Sequence, residues 1–414
     1  MKKTVILLVM LPWMAMASAQ VRTVQVTVAN GWSVDKVNEP VAVRLSEVKK
    51  LGFEVRGAKV TQEGREVPCQ LDDMDGDLLA DEVFFLTDIK AGETQTFDVE
   101  LRADEVKSDV EPRIYTALQI RDKQDKHPDV LKVEAQGSSF LFNDIYMHGV
   151  TIESELTGYR IYFDHRQNID LYGKKYRRIE LPETQFYTSV EQLAEGYGVD
   201  VLWAGNAIGC GSFKDWRDGK PENWTDVKVR GQRVVTTGAL RTVVEVYDLG
   251  TKADDGTLYN MYQSYSLYAG HRDLQVDVRF DKALEKNFCT GVQKVGVTAD
   301  DSVRRGHKPE GILRADGIAA SWGCDYPDMG KKQQWPPEPV GLAVYVPTQY
   351  VREAKEDDLN YLYVLKAGKD ASIRYYVSFC ADKEDVGYHS AKEWFASLDA
   401  WKENVEHPVR VKVK

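Results

Sequence analysis

Short runs in which apolar and polar residues alternate recur along almost the whole chain, and this limits the possible folds more than any other feature. "VRTVQVTVAN", "VAVRLSEV", "KVTQEGREVPCQL" and "TQTFDVEL" keep a period of two, and "VVTTGALRTVVEVYDL", "YQSYSLYAG", "LQVDVRF", "VGLAVYV" and "IRYYVSF" continue it. Successive side chains on a strand point to opposite faces, so such runs suit sheets with one face on a core. Their wealth of Tyr, Val and Thr fits half-buried sheet surfaces, and Gly, Asn and Asp interrupt them where turns are needed. The pattern predicts a mainly β protein: a small N-terminal β domain, then a large antiparallel β-sandwich, with few helices. Ser390-x-x-Glu393 is a capping box that opens one of these, with Trp394, Phe395, Leu398 and Trp401 on a single face. Thr188 to Ala194 is expected to form a second, short helix.

Residues 1–19 read as a secretory signal peptide. Lys2 and Lys3 precede an apolar stretch, and Ala17-Ser18-Ala19 supplies the small-residue cleavage site. No Cys follows that site, so no lipid anchor is expected, and the mature chain is expected in the periplasm. Losing the two lysines takes the formal charge from −11 to −13. That balance argues against nucleic acid, whose phosphates call for basic stripes. The charged stretch "ADEVKSDVEP" marks a boundary, dividing the mature chain into 20–106 and 107–414. Five scattered cysteines, Cys69, Cys210, Cys289, Cys324 and Cys380, form no C-x-x-C pair and read as buried thiols.

From Asp72 to Glu82 the chain packs six acids into eleven residues, just ahead of a strongly apolar strand. Asp73, Asp75 and Asp77 match the start of a helical calcium loop, but Leu78 stands where that loop needs Gly and Phe84 where it needs Glu. Two readings stay open. One is a hairpin turning at Met74-Asp75-Gly76-Asp77. The other is a structural calcium held by Asp73, Asp75, Asp77 and Asp81, since calcium accepts varied oxygen ligands. No other cofactor is expected.

The densest group of chemically able side chains is "HGVTIESELTGYRIYFDHRQNIDLYGKK", followed by "EGYGVDVLWAGNAIGCGSFKDW". Here the motifs H-G-x-x-x-E-x-E, Y-R-x-Y-F-D, I-D-x-Y-G-K and G-x-D-V-L-W-A-G occur in order. Together with Q-L-D-D-x-D-G-D-x-x-x-D-E and "LYAGHRDLQV", they resemble domain-of-unknown-function family 4861 over nearly the whole mature chain. The resemblance implies an exported protein of glycan-utilising Gram-negative gut bacteria, in the setting of uronate-containing polysaccharides. It assigns no catalytic residue. By fold analogy the larger domain is similar to the sandwich part of mutarotase-like and lyase-like folds, a supersandwich.

The chemistry is therefore read from the residues, on the expectation that those between 148 and 203 converge. In a lyase route Arg160 neutralises a uronate carboxylate, and Tyr159 or His148 serves as base and acid. In a hydrolase route Glu155 and Asp200 flank the scissile bond. A mutarotase would use His271 or His148 as acid. A non-catalytic glycan-binding protein would use the same polar cluster with tryptophans from Gly-, Pro- and Lys-rich segments. The residues expected to bind substrate are Trp203, Lys174, Trp216, Trp322 and His271, because indoles stack on sugar faces and lysines attract carboxylates. The expected partner is an oligosaccharide or polysaccharide. No P-loop, HExxH or G-x-S-x-G pattern directs the reading elsewhere.

Overall fold

The computed structural model describes residues 20–107, 109–124 and 126–414, so the expected signal peptide lies outside the described residues. The alternating runs form strands, and the fold is mainly β, built from antiparallel sheets. In the first run, Val21–Ala29, Val24, Val26 and Val28 turn inward while their neighbours face out. This strand lies in a five-stranded sheet with Thr94–Arg102, Gly57–Gln62 and Arg65–Val67. Across a core of Val41, Val43, Phe85, Phe97 and Leu101 stands a three-stranded sheet of Lys36–Arg44, Glu82–Ile89 and Cys69–Asp72. The outer edge of the first sheet is Arg410–Val413, which returns from the far end of the sequence to pair with Val26–Ala29.

The larger core is shared by a nine-stranded sheet and two five-stranded sheets. One of the latter runs in the order Val199–Asp200, Ile169–Gly173, Thr157–Tyr162, Ile145–Ser154, Ile114–Ile120. It sends Ile152, Tyr159, Ile161 and Leu171 into that core. Its other face carries Glu153, Arg160, Asp170 and Asp200, because strand parity puts them opposite their apolar neighbours. Lys174 and Glu153 pair under this face at 2.9 Å. The Glu153 carboxylate also accepts from the Glu180 and Leu181 amides, pinning the short helix Leu181–Thr184 over the sheet. Ser189 and Gln192 then form a reciprocal capping box at the start of Val190–Ala194, inside the segment expected to be helical.

On the far side, helix Ala391–Glu406 covers the nine-stranded sheet, with Trp394 and Leu398 buried against Ile318, Ala320 and Trp322. Ser390 caps it by accepting from the Glu393 amide at 3.3 Å, and the Glu393 carboxylate takes the His389 amide at 2.8 Å. Gly341 lies directly beneath, where a Cβ would come within 2.7 Å of the Trp394 ring. None of the five cysteines is in a disulfide.

The acidic hairpin exists, but its turn is not the tight one expected. Asp72 and Glu82 are register partners, leaving residues 73–81 as a loop in which Gly76 and Leu78 take positive φ. The two flanking acids have a structural task. Arg241, from the nine-stranded sheet, donates to Asp72 at 2.8 Å and to Glu82 at 2.9 Å. Gln70 accepts from the Leu240 and Arg241 amides. The hairpin thus ties the first sandwich to the second.

Candidate functional site

The outward face of the sheet around Arg160 gathers the chemically able residues. Arg160 and Asp170 are direct cross-strand partners, and Asp200 stands one strand further along. The buried guanidinium gives its Nε to Asp170 at 3.1 Å and its Nη2 to Asp170, to the Tyr162 hydroxyl at 2.8 Å and to Asp200 at 3.4 Å. It lies between the Tyr162 and Phe186 rings, 4.8 and 4.5 Å from their centres. Two carboxylates around one cation do not ionise equally. Burial and the neighbouring Asp170 hold the Asp200 carboxyl well above the usual range, against the pull of Arg160. Asp170 makes the closer ion pair with Arg160, and Asp200 is the carboxyl whose surroundings favour its protonated form.

His148 reaches the same face through a bulge. The strand Ile145–Ser154 slips register against Ile114–Ile120 between Tyr146 and Thr151, and Met147 and His148 take positive φ of 57° and 62°. Consecutive left-handed residues without glycine are strained, and bulges of this kind re-aim a side chain. The ring stacks on Phe142 at 3.9 Å, and Nδ1 is 2.8 Å from the Phe142 carbonyl. Nδ1 therefore carries the proton, and Nε2 makes no hydrogen bond among the described residues. Burial, aided by Arg160 and Arg121, lowers the pKa of His148 despite that carbonyl, so the imidazole is neutral near pH 7. Tyr162 and Tyr187 flank it at 6.3 and 6.5 Å between ring centres. Half-exposed aromatic rings thus rim a buried Arg–Asp–Asp floor.

Two polar groups in this site interact chiefly with each other. Arg160 Nη1 and the Tyr187 hydroxyl are both buried without a well-formed hydrogen bond among the described residues. They lie close enough for the guanidinium to oppose the burial that raises the tyrosine pKa. Beside them stands Lys331, 5.2 Å from the Tyr187 ring centre. Tyr162, Asp170, Tyr187 and Lys331 were missing from the residues expected to act. For Tyr162 and Asp170 the parity of Arg160 was a usable signal; for Tyr187 and Lys331 no local signal exists.

Several expected residues lie elsewhere. Tyr159 adjoins Arg160 in sequence and therefore faces the core, where its hydroxyl donates to the Arg272 carbonyl at 2.5 Å. Glu155 sits at the hairpin end, bonded to Arg113 at 2.5 Å and to the Gly270 amide at 2.8 Å. Neither joins Asp200. Lys174 is locked by Glu153 and by the Ser154 and Arg178 carbonyls. Trp322 is buried beneath the C-terminal helix, and Trp224 and Trp335 are buried as well. Trp216 lies on the other five-stranded sheet, beside a hollow of about 500 Å³ shared with Arg217, Asp226 and Asp254. His271 bridges Asp273 and the Asn38 carbonyl at the junction with the first sandwich. Of the expected substrate-binding residues only Trp203 is well exposed, at 50%.

In the acidic loop, carboxylate oxygens of Asp73, Asp75 and Asp81 lie within 4.8 Å of one another, and Asp77 does not join them. Asp73 accepts from the Gly76 and Leu78 amides, Asp77 from the Leu79 amide and Asp81 from the Met74 amide. Backbone amides engage these acids, and a calcium held by the three carboxylates would draw further oxygens from backbone carbonyls or water to reach its usual six to eight.

Residues 28–411 match the family described as Domain of unknown function (DUF4861), and the chain belongs to it. No curated protein matches. Among solved structures the chain is similar to a protein in the glycosyl hydrolase family 38 from Enterococcus faecalis, at 9% identity and a TM-score of 0.46. That likeness covers 95% of this chain and 47% of the other. An alpha-mannosidase from Enterococcus faecalis V583 is similar at 8% identity and a TM-score of 0.44, over 95% and 46%. The chain thus spans about half the length of each.

Proposed function

We propose that this member of the DUF4861 family is a periplasmic enzyme that cleaves uronate-containing oligosaccharides by elimination, at the face carrying His148, Arg160, Asp170 and Asp200. One observation carries the reading: a histidine with Nε2 unengaged and a buried carboxyl meet on one aromatic-rimmed face, with burial lowering the pKa of the first and raising that of the second. A base and an acid with opposite protonation at the same pH are what elimination requires. His148 Nε2 takes the proton beside the uronate carboxylate, the glycosidic C–O bond breaks, and Asp200 protonates the departing oxygen. The products are a shortened oligosaccharide and a sugar with a new C=C bond. Hydrolysis fits less well. It calls for two carboxyl groups on either side of the scissile bond, whereas Asp170 and Asp200 both face one guanidinium. The periplasmic setting rests on the leader sequence and the substrate class on the family resemblance.

The test is incubation with a panel of uronate oligosaccharides, followed by ultraviolet absorbance and mass. New absorbance without added water supports the reading. Cleavage with water added would make the protein a hydrolase, and binding without cleavage a glycan-binding module. His148→Gln is expected to lower kcat by about 10²–10⁴-fold, the usual contribution of a positioned base.

A further inference from the structure

We infer that Lys331 is the group that recognises the substrate's carboxylate, completing an anion-binding corner with Arg160 Nη1 and the Tyr187 hydroxyl. This rests on the reading of the Arg160 face as a sugar site, and it revises how charge is recognised there. The sequence points to Arg160 as a bidentate carboxylate clamp. In the structure Asp170 and Asp200 already occupy its Nε and Nη2, and a single Nη1 remains. Lys331 is an uncommitted cation beside this group. It makes no ion pair among the described residues, and its half-buried ammonium lies 4.0 Å from the Trp335 ring centre and 5.2 Å from that of Tyr187. Asp328, on the same loop, spends a carboxylate oxygen on the Gly330 amide at 2.7 Å and stays outside ion-pair distance.

The loop is fastened where this role needs it. Gln334 and Trp335 both donate to the Thr188 carbonyl, at 3.0 and 3.2 Å, so the segment carrying Lys331 is tied to the one carrying Tyr187. Burial lowers the Lys331 pKa, against the weaker pull of Asp328 and Asp200, neither of which pairs with it. Arg160 Nη1 and the Tyr187 hydroxyl make no well-formed hydrogen bond and interact with each other, and Lys331 stands beside them without an ion pair among the described residues. A carboxylate offers two oxygens and about four lone-pair positions, which suits such a set.

The experiment compares a uronate trisaccharide with the same trisaccharide after reduction of its carboxyl groups to alcohols. Affinities are measured by calorimetry in a His148→Gln background, so that the substrate survives. The background protein is expected to prefer the uronate. Lys331→Met is expected to weaken uronate binding about 10- to 100-fold, leave the reduced sugar unchanged, and be partly restored in Lys331→Arg. Circular dichroism checks that each variant is folded. If Lys331→Met keeps the preference, or weakens both sugars equally, Lys331 is not the recognising group, although the sugar site stands. If the background protein binds neither trisaccharide, the sugar site itself falls, and the inference with it.

Discussion

Asp170 and Asp200 have the same side chain and touch the same guanidinium, yet their surroundings give them opposite tasks. Asp170 neutralises buried Arg160. Replacing it with Asn leaves that cation uncompensated, and a loss of about 3–5 kcal/mol is expected in denaturant unfolding. Asp200→Asn should behave differently, because the neutral amide resembles the protonated carboxyl that burial favours at this position. For an acid whose folded pKa lies above 3.8, the folded state holds the proton over a range in which the unfolded chain has lost it. Stability therefore falls as pH rises from 3.8 through the folded value. Asp200→Asn should remove that slope, keep or raise the thermal midpoint at neutral pH, and abolish cleavage. A variant as unstable as Asp170→Asn would refute this division of labour.

At the level of elements, strand parity and a bulge together build the site. Tyr159 and Arg160 are neighbours that cannot serve one site, since a flat strand sends them to opposite faces. His148 is on the Arg160 side because the strand bulges between Tyr146 and Thr151. The helix on the opposite flank depends on a missing side chain. Gly341 leaves room for the Trp394 indole, whose Nε1 donates to the Leu342 carbonyl at 3.2 Å. Gly341→Ala should therefore lower stability by about 1–3 kcal/mol, measured by chemical denaturation. An unchanged midpoint would mean that the helix shifts at no cost.

Across the whole molecule, two sandwiches are held together by polar ties that the separate sheets do not require. Asp72 and Glu82 grip Arg241, Arg113 (itself held by Glu155) donates to the Asn38 side chain at 3.1 Å, and His271 joins Asn38 to Asp273. The last tie is pH-sensitive. Burial opposes the imidazolium, but Asp273, the Asn38 carbonyl and the more distant Glu39 outweigh it and lift the pKa above 6.5. The folded protein thus keeps this proton to higher pH than the unfolded chain. Its contribution is full below pH 6.5 and is lost as pH rises through the folded value. Thermal midpoints should show a decline in that window that is absent in His271→Gln.

Local alternation was enough to specify the β character of the chain, most strand positions, the capped C-terminal helix and the segment around Arg160, because period and capping are short-range properties. It also contained, through parity, the reason Tyr159 and Arg160 part company. Three things were decided only when distant segments met. Arg241 lies far along the chain from the acids it joins at Asp72 and Glu82. Trp322 and Trp335 read as loop residues until other elements covered them. Lys331 gained a role only where its loop fastened to Thr188, bringing an ammonium from a polar loop beside Tyr187 and Arg160. Such long-range pairings leave no periodic trace, since they depend on which surfaces remain unpaired once the sheets have packed.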